Sequence, residues 1–440
     1  MDFDVWSQMG NPGWSYAAVL PYFKRFECRQ GDADDTYRGR DGEFVVSDLN
    51  WSDPLCERFI EGAVSLGIPR NPDYNGASQE GVGYFQRSIH RRRRMSAARA
   101  FLRPAMARSN VRVLTNAHVT RVLFDGKKAI GVEYARDGNR HQVFAQRETI
   151  LCGGAINTPQ LLQLSGVGPA GLLGDLQVPV VAELAGVGEN LRDHYAPRLT
   201  ARVKDAETIN ERARGLRLVG EVFKYFAGGQ SILNLQPTLV HVFWKSDEAL
   251  DAGDLQITFT PASYKQGVQS QLDDFPGVTV APWQQRPEST GLVQARSTDA
   301  FEAPLIQPNY LQHETDKQVL IKGLKLARRL LGTEPLGPHL VSEEQPGPSV
   351  RSDEELLDFA RQRGTTVFHL MGTCKMGPVT DPRAVVDAEL RVHGLDSLRV
   401  VDASIMPTMP SANTNASTLM IAEKAADMIR GRAAPEPVIL

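Results

Sequence analysis

Long apolar runs are missing from this sequence, and their absence argues against a membrane-spanning helix. No window of its 440 residues approaches the roughly 18 uninterrupted apolar positions that a membrane-spanning helix needs. The opening residues, MDFDVWSQMG, contain neither a basic start nor an apolar stretch, so no secretory signal peptide is predicted. We therefore expect a cytoplasmic protein without a transmembrane segment, and peripheral attachment to a membrane stays open.

An excess of either charge is also missing. The 49 basic and 52 acidic residues give a net charge of −3, which provides no electrostatic reason to expect a nucleic acid partner. The arginine run at 91–94 is therefore interpreted as a solvated stretch before a helix. The four cysteines are far apart and form no C-x-x-C pair, so we expect free thiols rather than disulfides or a metal site.

Common catalytic motifs are missing or occur out of context. The nine histidines show no H-x-x-x-H or H-E-x-x-H spacing, so no metal centre is predicted. No G-x-S-x-G sequence provides a hydrolase nucleophile. A G-x-G-x-x-G pattern occurs at 166–171, but it follows a predicted helix rather than a strand and contains Pro169. We interpret it as a helix-ending loop and not as a dinucleotide-binding turn.

Helical patterns are present along much of the chain. Apolar residues spaced three and four apart predict helices at 14–26 with an interruption at Pro21, at 54–67, at 96–107 after an N-cap at Ser96, at 315–331 and at 418–429. A further helix is expected after the tight turn at Gly153-Gly154, with Asn157 or Thr158 as its cap.

Strand patterns alternate with these helices, as is typical of a mixed α/β protein. Alternating or continuous apolar stretches predict strands at 111–114, 119–124, 130–134, 142–145, 150–152, 239–244 and 255–260. Asp125-Gly126 and Asp137-Gly138 are typical hairpin turns. The first four strands are therefore predicted to form a small antiparallel meander.

The residues best suited to chemistry lie in the last quarter of the chain. His369 is the one histidine in TVFHLMGTCKMG at 366–377, and Asn413-Thr414-Asn415 stands where the last predicted helix begins. Unpaired backbone N–H groups and a partial positive charge at a helix start favour an anionic ligand atom. A histidine base and an amide that converge on such an end predict a site for oxidation chemistry. Taken alone, His194 in GVGENLRDH is more typical of a structural histidine.

These stretches belong to longer blocks that resemble the glucose–methanol–choline (GMC) oxidoreductase family of FAD-dependent alcohol oxidases and dehydrogenases. The blocks are GNPGWSYAAVLPYFKRFE at 10–27, SAARAFLRPA at 96–105, CGGAINTPQLLQLSGVGP at 152–169 with GVGENLRDH at 186–194, and FHLMGTCKMG with MPSANTNASTLMIAEKAADMI near the end. The resemblance implies a mixed α/β fold in which 1–195 and 366–432 form the FAD-binding part. Residues 196–365 are then a substrate-binding domain built on an antiparallel sheet flanked by helices.

The front of the family pattern has no counterpart in this sequence. GMC proteins open with a strand, a G-x-G-x-x-G turn and a helix that hold the ADP half of FAD, whereas this sequence begins with MDFDVW. The resemblance therefore implies an N-terminally incomplete FAD-binding domain, whose first segment is lost, encoded upstream of the assigned start, or supplied by a second chain. The alternative to an enzyme is a truncated non-catalytic remnant, or half of a split flavoprotein, that does not bind FAD alone.

The resemblance also implies roles for individual residues. His369 matches the family histidine at the reactive edge of the flavin, and we expect it to accept the hydroxyl proton of an alcohol while hydride leaves for flavin N5. An ordinary pKa near neutrality is expected for it. Asn413 matches the second active-site position, where an amide donates a hydrogen bond to the developing alkoxide. The implied cofactor-binding residues are Val119, Gly153, Gly154, Asp402, Ala403, Asn413, Thr414 and Asn415.

The motifs do not identify the alcohol. Aliphatic, aromatic, polyol and choline-like alcohols are all candidate substrates, and O₂ and a quinone are both candidate electron acceptors. A choline-like cation needs an aromatic cage or a carboxylate, and Phe243, Trp244 and Trp283 are candidate aromatic residues for such a cage.

Overall fold

The structure is a computed structural model that describes residues 1–265 and 271–439. The α-helices in these ranges are α1 Asp2–Gln8, α2 Tyr16–Phe26, α3 Pro54–Ser65, α4 Arg103–Ala105, α5 Gly154–Leu164, α6 Ala170–Asp175, α7 Ile209–Arg212, α8 Gly215–Ala227, α9 Glu314–Leu331, α10 Asp353–Arg363 and α11 Thr414–Arg430. A π-helical turn, Ala98–Leu102, precedes α4, and short 3₁₀ turns lie at Ile232–Asn234, Gly337–His339 and Ala403–Ile405.

The strands in the same ranges are mostly short. They are β1 Glu27–Arg29, β2 Phe44–Val46, β3 Gly81–Tyr84, β4 Ile89–His90, β5 Arg93–Arg94, β6 His118–Asp125, β7 Lys128–Arg136, β8 Asn139–Phe144, β9 Thr149–Leu151, β10 Val167–Gly168, β11 Ala182–Glu183, β12 Tyr195–Ala196, β13 Leu199–Val203, β14 Val240–Trp244, β15 Leu255–Thr260, β16 Gly277–Gln284, β17 Leu292–Gln294, β18 Leu305–Gln307, β19 Leu340–Gln345, β20 Thr365–Thr366 and β21 Leu398–Val400.

The largest sheet contains six antiparallel strands in the order β19-β13-β16-β15-β14-β3. Its two central strands, β15 and β16, are buried along their whole length. Alternate side chains of a strand point to opposite faces of its sheet. One face, which includes Ile257 and Phe259, packs on α3 and α9, and Phe59 stacks on Phe259 with ring centroids 4.3 Å apart. The apolar stripe of α9 therefore covers this face.

The other face of the six-stranded sheet is polar. Thr258 and Thr260 alternate along β15 with the apolar residues just described, and Thr279 and Trp283 lie on β16. These four side chains line a large cavity. The sheet therefore separates a helical, apolar core from a polar cavity wall.

A second core joins the two ends of the chain. Helix α11 packs against α2, and Trp6, Trp14 and Met420 are fully buried in this core. Strand β9 pairs in parallel with β21, and the meander β6-β7-β8 packs against α5 through β6. These long-range contacts bring the start of α11 to the cavity wall.

The sequence located the long elements correctly. The predicted helices at 315–331 and 418–429 correspond to α9 and α11, and the predicted strands at 239–244 and 255–260 correspond to β14 and β15. Strand β3 lies within 1–195 but pairs with β14 in the six-stranded sheet. The domain limits 1–195, 196–365 and 366–432 stay a prediction.

Two local predictions near the N-terminus and the meander are wrong. Residues 111–114 form no strand, because the meander is completed by β6, β7 and β8 without them. Pro21 does not interrupt α2. Proline lacks the N–H that would bond the carbonyl four residues earlier, and here the carbonyl of Ala17 accepts instead from the backbone N–H of Val438 at 3.0 Å.

The helix after the double glycine also starts earlier than predicted. It begins at Gly154, so that neither Asn157 nor Thr158 precedes it as a cap. Thr158 lies inside the helix, and its Oγ1 accepts a hydrogen bond from the N–H of Gly153, just before the helix, at 2.9 Å. The prediction that Asn157 or Thr158 caps the helix is therefore wrong, because the N-cap is Gly153 and the tertiary structure decided where the helix begins.

The predictions of a solvated arginine run and of free thiols are confirmed. All four side chains of 91–94 are exposed, and they form the turn and the second strand of the β4–β5 hairpin, with Arg91 and Arg92 at positive φ in the turn. The G-x-G-x-x-G pattern follows helix α5, and all four cysteines are free thiols. Among residues 1–265 and 271–439, no helix combines the length and the apolar character that crossing a membrane requires.

Candidate active site

A cavity of roughly 1450 Å³ lies between the polar face of the six-stranded sheet and the start of α11. Three predicted site residues, His369, Asn413 and Asn415, line the cavity, as does Phe368, which precedes His369. Small-molecule sites usually enclose about 300–1,000 Å³. This cavity therefore has room for a ligand larger than a single small alcohol.

The structure brings the two predicted catalytic side chains together. Asn413 Nδ2 lies 2.9 Å from His369 Nε2, although 43 residues separate them in the sequence between positions 369 and 413. Asn413 is the N-cap residue of α11, but its side chain makes no capping hydrogen bond to that helix. The amide therefore contacts the histidine and does not cap the helix.

A second histidine, which the sequence did not identify as functional, contacts His369. His194 Nδ1 lies 2.8 Å from His369 Nδ1, and the two rings are nearly perpendicular with centroids 5.0 Å apart. His194 is fully buried, and its Nε2 lies 2.7 Å from the backbone carbonyl oxygen of Gln285. A structural role was favoured for His194, and the structure shows that it also touches the predicted base.

These contacts determine which nitrogen of each imidazole carries its hydrogen. A carbonyl oxygen only accepts, so His194 Nε2 donates to Gln285 and, in the neutral ring, His194 Nδ1 is an acceptor. His369 must then donate from Nδ1 to His194 Nδ1. The lone pair of His369 consequently lies on Nε2, where Asn413 Nδ2 donates to it. The nitrogen next to the asparagine is thus the basic one.

The expectation of an ordinary pKa for His369 is wrong. Burial, together with the neighbouring His194, lowers the pKa of His369 to about 3. Burial lowers the pKa of His194 to about 4. Low-dielectric surroundings disfavour the charged form of an imidazole, and a neighbouring imidazole that would share a positive charge disfavours it further. Both rings are therefore neutral at physiological pH, the form in which Nε2 of His369 accepts a proton.

Asp193 holds the backbone that carries His369. Its Oδ1 accepts a hydrogen bond from the His369 N–H at 2.8 Å, and its Oδ2 accepts from the hydroxyls of Tyr310 and Thr366. Burial raises the pKa of this carboxyl, while these donors oppose the shift. The adjacent Phe368 has φ +62°, a left-handed conformation that is costly for a bulky residue and is found at functional sites. The carboxylate therefore stabilises a strained loop.

Four of the other predicted residues form a cluster of their own. Asp402 Oδ2 accepts from the Gly154 N–H at 2.9 Å and from the Thr158 hydroxyl at 2.6 Å. The carbonyl of Ala403 accepts from the N–H of Gly372 at 3.2 Å, which connects this cluster to the loop after His369. None of Gly153, Gly154, Asp402 and Ala403 is among the cavity-lining residues of the part of the chain described.

Val119 lies apart from this cluster. It is on β6, opposite Tyr134 of β7, and its side chain is 36% exposed. It does not line the cavity among the described residues either. The structure therefore unites His369, Asn413 and Asn415 but does not bring Val119 to them.

The start of α11 fits the flavin end of FAD. The first backbone N–H groups of a helix have no partner within it, and those of Thr414, Asn415 and Ala416 find none elsewhere in residues 1–265 and 271–439. Asn415 and Ala416 line the cavity. Unpaired donors and the positive end of a 17-residue helix stabilise negative charge on an acceptor beside them. These donors and the size of the cavity agree with a bound flavin.

Two buried neutral histidines are expected to make the protein less stable in mild acid. His194 and His241 are fully buried, and burial lowers the pKa of His241 to about 3, as it lowers that of His194 to about 4. In the unfolded chain both return to about 6.5. Above that pH neither state gains protons. As the pH falls from 6.5 toward 4 only the unfolded chain does, so the free energy of unfolding falls by up to about 1.4 kcal/mol per pH unit for each histidine.

Urea unfolding at several pH values between about 7.5 and 4.5 measures this slope. The matched variant is His241→Phe, because neither ring nitrogen of His241 has a hydrogen-bond partner in the part of the chain described and its ring contacts Tyr74, Phe85 and Phe243. We expect this variant to lose the part of the slope that His241 contributes. An identical slope in the variant and the wild type would contradict a neutral buried histidine.

Comparison with known proteins agrees with this fold. The sequence matches the GMC oxidoreductase family over residues 1–196 and again over residues 287–422. It is 41% identical to human mitochondrial choline dehydrogenase over 98% of this chain and 73% of that protein. It is 38% identical to an oxygen-dependent choline dehydrogenase of Staphylococcus aureus over 99% of this chain and 77% of that protein.

Solved structures show the same fold. Pyridoxine 4-oxidase from Mesorbium loti superposes with a TM-score of 0.85 at 28% identity, covering 98% of this chain and 81% of that one. An FAD-dependent oxidoreductase from Chaetomium thermophilum superposes with a TM-score of 0.88 at 25% identity, covering 98% of this chain and 83% of that one.

The chain therefore belongs to the GMC oxidoreductase family. It is an FAD-dependent alcohol dehydrogenase or oxidase, its cofactor is FAD, and its substrate is a small-molecule alcohol. The resemblance, the mixed α/β fold and the cofactor predicted from the sequence are confirmed.

Proposed function

We propose that His369 is the general base of this alcohol oxidation and that Asn413 stabilises the alkoxide. The hydrogen-bonded chain from the Gln285 carbonyl through His194 to His369 carries this proposal, because it leaves the lone pair of His369 on Nε2. That nitrogen lies beside Asn413, and both residues line the cavity. A base and an oxyanion donor thus converge on the same substrate oxygen.

The proton route follows from these contacts. An alcohol that displaces the Asn413–His369 hydrogen bond places its hydroxyl between the two side chains, 2.9 Å apart before binding. Its O–H bond breaks as the proton moves to His369 Nε2, and the amide N–H of Asn413 donates to the oxygen left behind. Because His194 Nδ1 accepts from His369 Nδ1, it stabilises the positive charge that forms on the ring.

The low proton affinity of His369 favours a base that acts only during the oxidation. A neutral imidazole with a pKa near 3 gains little from taking the proton of an unreacted alcohol. Bound FAD supplies the two-electron oxidant for the carbinol carbon, which becomes a carbonyl carbon. We propose that Thr414 and Asn415, in the first turn of α11, hold the flavin through their backbone N–H groups. Cofactor contacts by Val119, Gly153, Gly154, Asp402 and Ala403 stay a prediction.

The absorbance spectrum of the purified chain tests this function. We expect a yellow protein with bound FAD, whose flavin absorbance bleaches when an alcohol is added without oxygen. The reason is that the cavity, the helix start and the base are all present in the chain. A series of primary alcohols and choline provides the substrates, and the corresponding aldehydes are the control that should not bleach the flavin.

Three results would contradict the proposal in different ways. Yellow protein whose flavin no alcohol bleaches would exclude the proposed alcohol oxidation. Colourless protein that gains FAD only with a second polypeptide would identify a split flavoprotein, and colourless protein that never binds FAD would identify a remnant without catalysis.

A further inference from the structure

One wall of the cavity carries a cation without a carboxylate partner. The half-buried side chain of Arg198 lines the cavity immediately before β13. Its Nη1 donates to Thr365 Oγ1 at 2.6 Å, and among residues 1–265 and 271–439 it forms no ion pair and no other hydrogen bond. Burial lowers the pKa of this guanidinium, but arginine stays charged in proteins. A cation held partly away from water gains most from an anionic ligand.

Arg198 lies close in the fold to the proposed base. Strand β12, Tyr195–Ala196, pairs with β20, Thr365–Thr366. His194 directly precedes β12, and Arg198 lies two residues after the end of β12. His369 follows β20 by three residues, and Thr365 of β20 accepts the hydrogen bond from Arg198. The cation and the pair of histidines therefore flank the same short two-stranded ladder.

Among the described residues that line the cavity, no carboxylate is free to bind a cationic substrate. Within the described residues, the acidic side chains that line it are all occupied by basic side chains: Asp2 by Arg286 at 2.7 Å, Glu27 by Arg38, and Glu80 by Lys245 at 3.8 Å. Of the three aromatic candidates for a cage, Phe243 and Trp244 do not line the cavity, and Trp283 does. A quaternary ammonium group would therefore meet Arg198 without a compensating negative charge.

Trp283 provides a second unpaired donor on the same wall. Its side chain is 5% exposed, and its Nε1 has no hydrogen-bond acceptor among the described residues. The ring centroid lies 6.2 Å from that of His194, which places the indole beside the histidine pair. A buried N–H without an acceptor costs about 1–3 kcal/mol. An oxygen acceptor on the substrate would remove that cost.

We propose that this wall selects an alcohol that also carries a carboxylate group, and that Arg198 binds that carboxylate. Nη1 of Arg198 bonds Thr365, and no described residue bonds its Nε and Nη2 edge, which matches the two oxygens of a carboxylate. The indole N–H of Trp283, which is only a hydrogen-bond donor, donates to an oxygen of the same substrate. The substrate class is thus an ω-hydroxy acid rather than choline, the alcohol named for the relatives of this chain.

This proposal rests on the proposed function, because it names the substrate class of the same site. It is tested by steady-state kinetics of the FAD-loaded chain with ω-hydroxy acids of increasing length, the α,ω-diols of matching length, and choline. We expect the best hydroxy acid to exceed its matching diol in kcat/KM by about 10- to 100-fold, the range of a charge-assisted hydrogen-bond pair. Choline is expected to be the poorest of the three. A preference for choline, or equal use of acid and diol, would overturn the proposal.

Arg198→Met is the informative variant. It should lower kcat/KM for the hydroxy acid by about 10- to 100-fold, mainly through KM, and change that for the diol by less than about 3-fold. Arg87→Met is the matched control, because Arg87 also lines the cavity without an ion pair in the described residues and contacts Asn50 instead. It should leave the ratio of acid to diol unchanged. Arg198→Lys, which keeps the charge but not the bidentate edge, should lose only part of the preference.

A binding measurement separates this proposal from the proposed function. Calorimetric titration with the unreactive carboxylates butanoate, hexanoate and octanoate should show binding to the wild type and none to Arg198→Met, with thermal unfolding confirming that both are folded. Tetramethylammonium should not bind. If no alcohol is oxidised but a carboxylate binds through Arg198, the function fails and the anion site stands. If alcohols are oxidised but no carboxylate binds, the anion site fails alone.

Discussion

Replacing His369 by glutamine is expected to slow flavin reduction by an alcohol by about 100- to 10,000-fold, the range for removal of a general base. Glutamine keeps a polar side chain of similar length but offers no basic nitrogen to the hydroxyl proton. In the His194–His369 pair only His369 Nε2 is unprotonated and belongs to a residue that lines the cavity, so no other ring nitrogen of the pair takes its place. Anaerobic stopped-flow absorbance of the flavin measures the rate directly.

Two further variants make the result interpretable. His118→Gln removes an exposed histidine, which contacts the carbonyl of Ala300 outside the cavity lining, and should leave the rate unchanged. Asn413→Ala removes the proposed alkoxide donor and should slow the step by a smaller factor. In the double variant the two losses should not multiply, because the side chains act on one oxygen. An unchanged rate in His369→Gln would exclude His369 as the base.

Replacing Asp193 by alanine is expected to cost about 3 kcal/mol or more in the free energy of unfolding, and to lower turnover as well. The substitution leaves three buried or half-buried donors without an acceptor: the hydroxyls of Tyr310 and Thr366 and the backbone N–H of His369. Each buried donor left unpaired costs about 1–3 kcal/mol. Turnover should also fall at temperatures where the variant is fully folded, because the strained backbone at Phe368 loses the contact that fixes the base.

Chemical denaturation and kinetics on the same preparation separate these two effects. Asp358→Ala is the matched control, because Asp358 forms an exposed ion pair with Arg361, 3.2 Å away on the surface of α10. Surface pairs of this kind contribute about 0–1 kcal/mol. Asp193→Asn should fall between the two, since one amide oxygen still accepts. Wild-type turnover in a destabilised Asp193→Ala protein would show that the carboxylate stabilises the fold without positioning His369.

The local sequence was sufficient to predict those helices and strands whose pattern is set within the element itself. The apolar spacing of α9 predicted a helix at 315–331, since the period of a helix is set by its own backbone and its stripe covers one sheet face. The strand at 255–260 was likewise predicted at its observed limits. The polar tripeptide at 413–415 marked the start of α11, because a helix start needs polar groups there.

Predictions failed where a distant residue changed the outcome. The amphipathic pattern gave no indication that Val438 would supply Ala17 with the donor that Pro21 lacks, so the uninterrupted α2 was not expected. The stretch 111–114 looks like a strand but has no partner strand. Hydrogen-bond partners across hundreds of residues are properties of the tertiary fold and leave no local signal.

The same division applies to the active site. His369 and Asn413 were identified from the blocks around them, and the structure brings them to 2.9 Å. His194 was missed as a contact of His369, although it lies in a block that carried the family resemblance. The available signal was the place of His194 in that block, directly after Asp193.

The sequence alone determined the family, the cofactor class and the two residues that meet at the start of α11, because long blocks of residues and a helix start are local features. The tertiary structure alone decided the proton state of His369 and the charges that line the site. The pKa of His369 depends on burial and on His194. The charge that a substrate meets depends on which carboxylates of the cavity wall are paired with basic side chains, and on Arg198, which forms no ion pair within the described residues. Electrostatic interactions act through space between residues that the sequence keeps far apart.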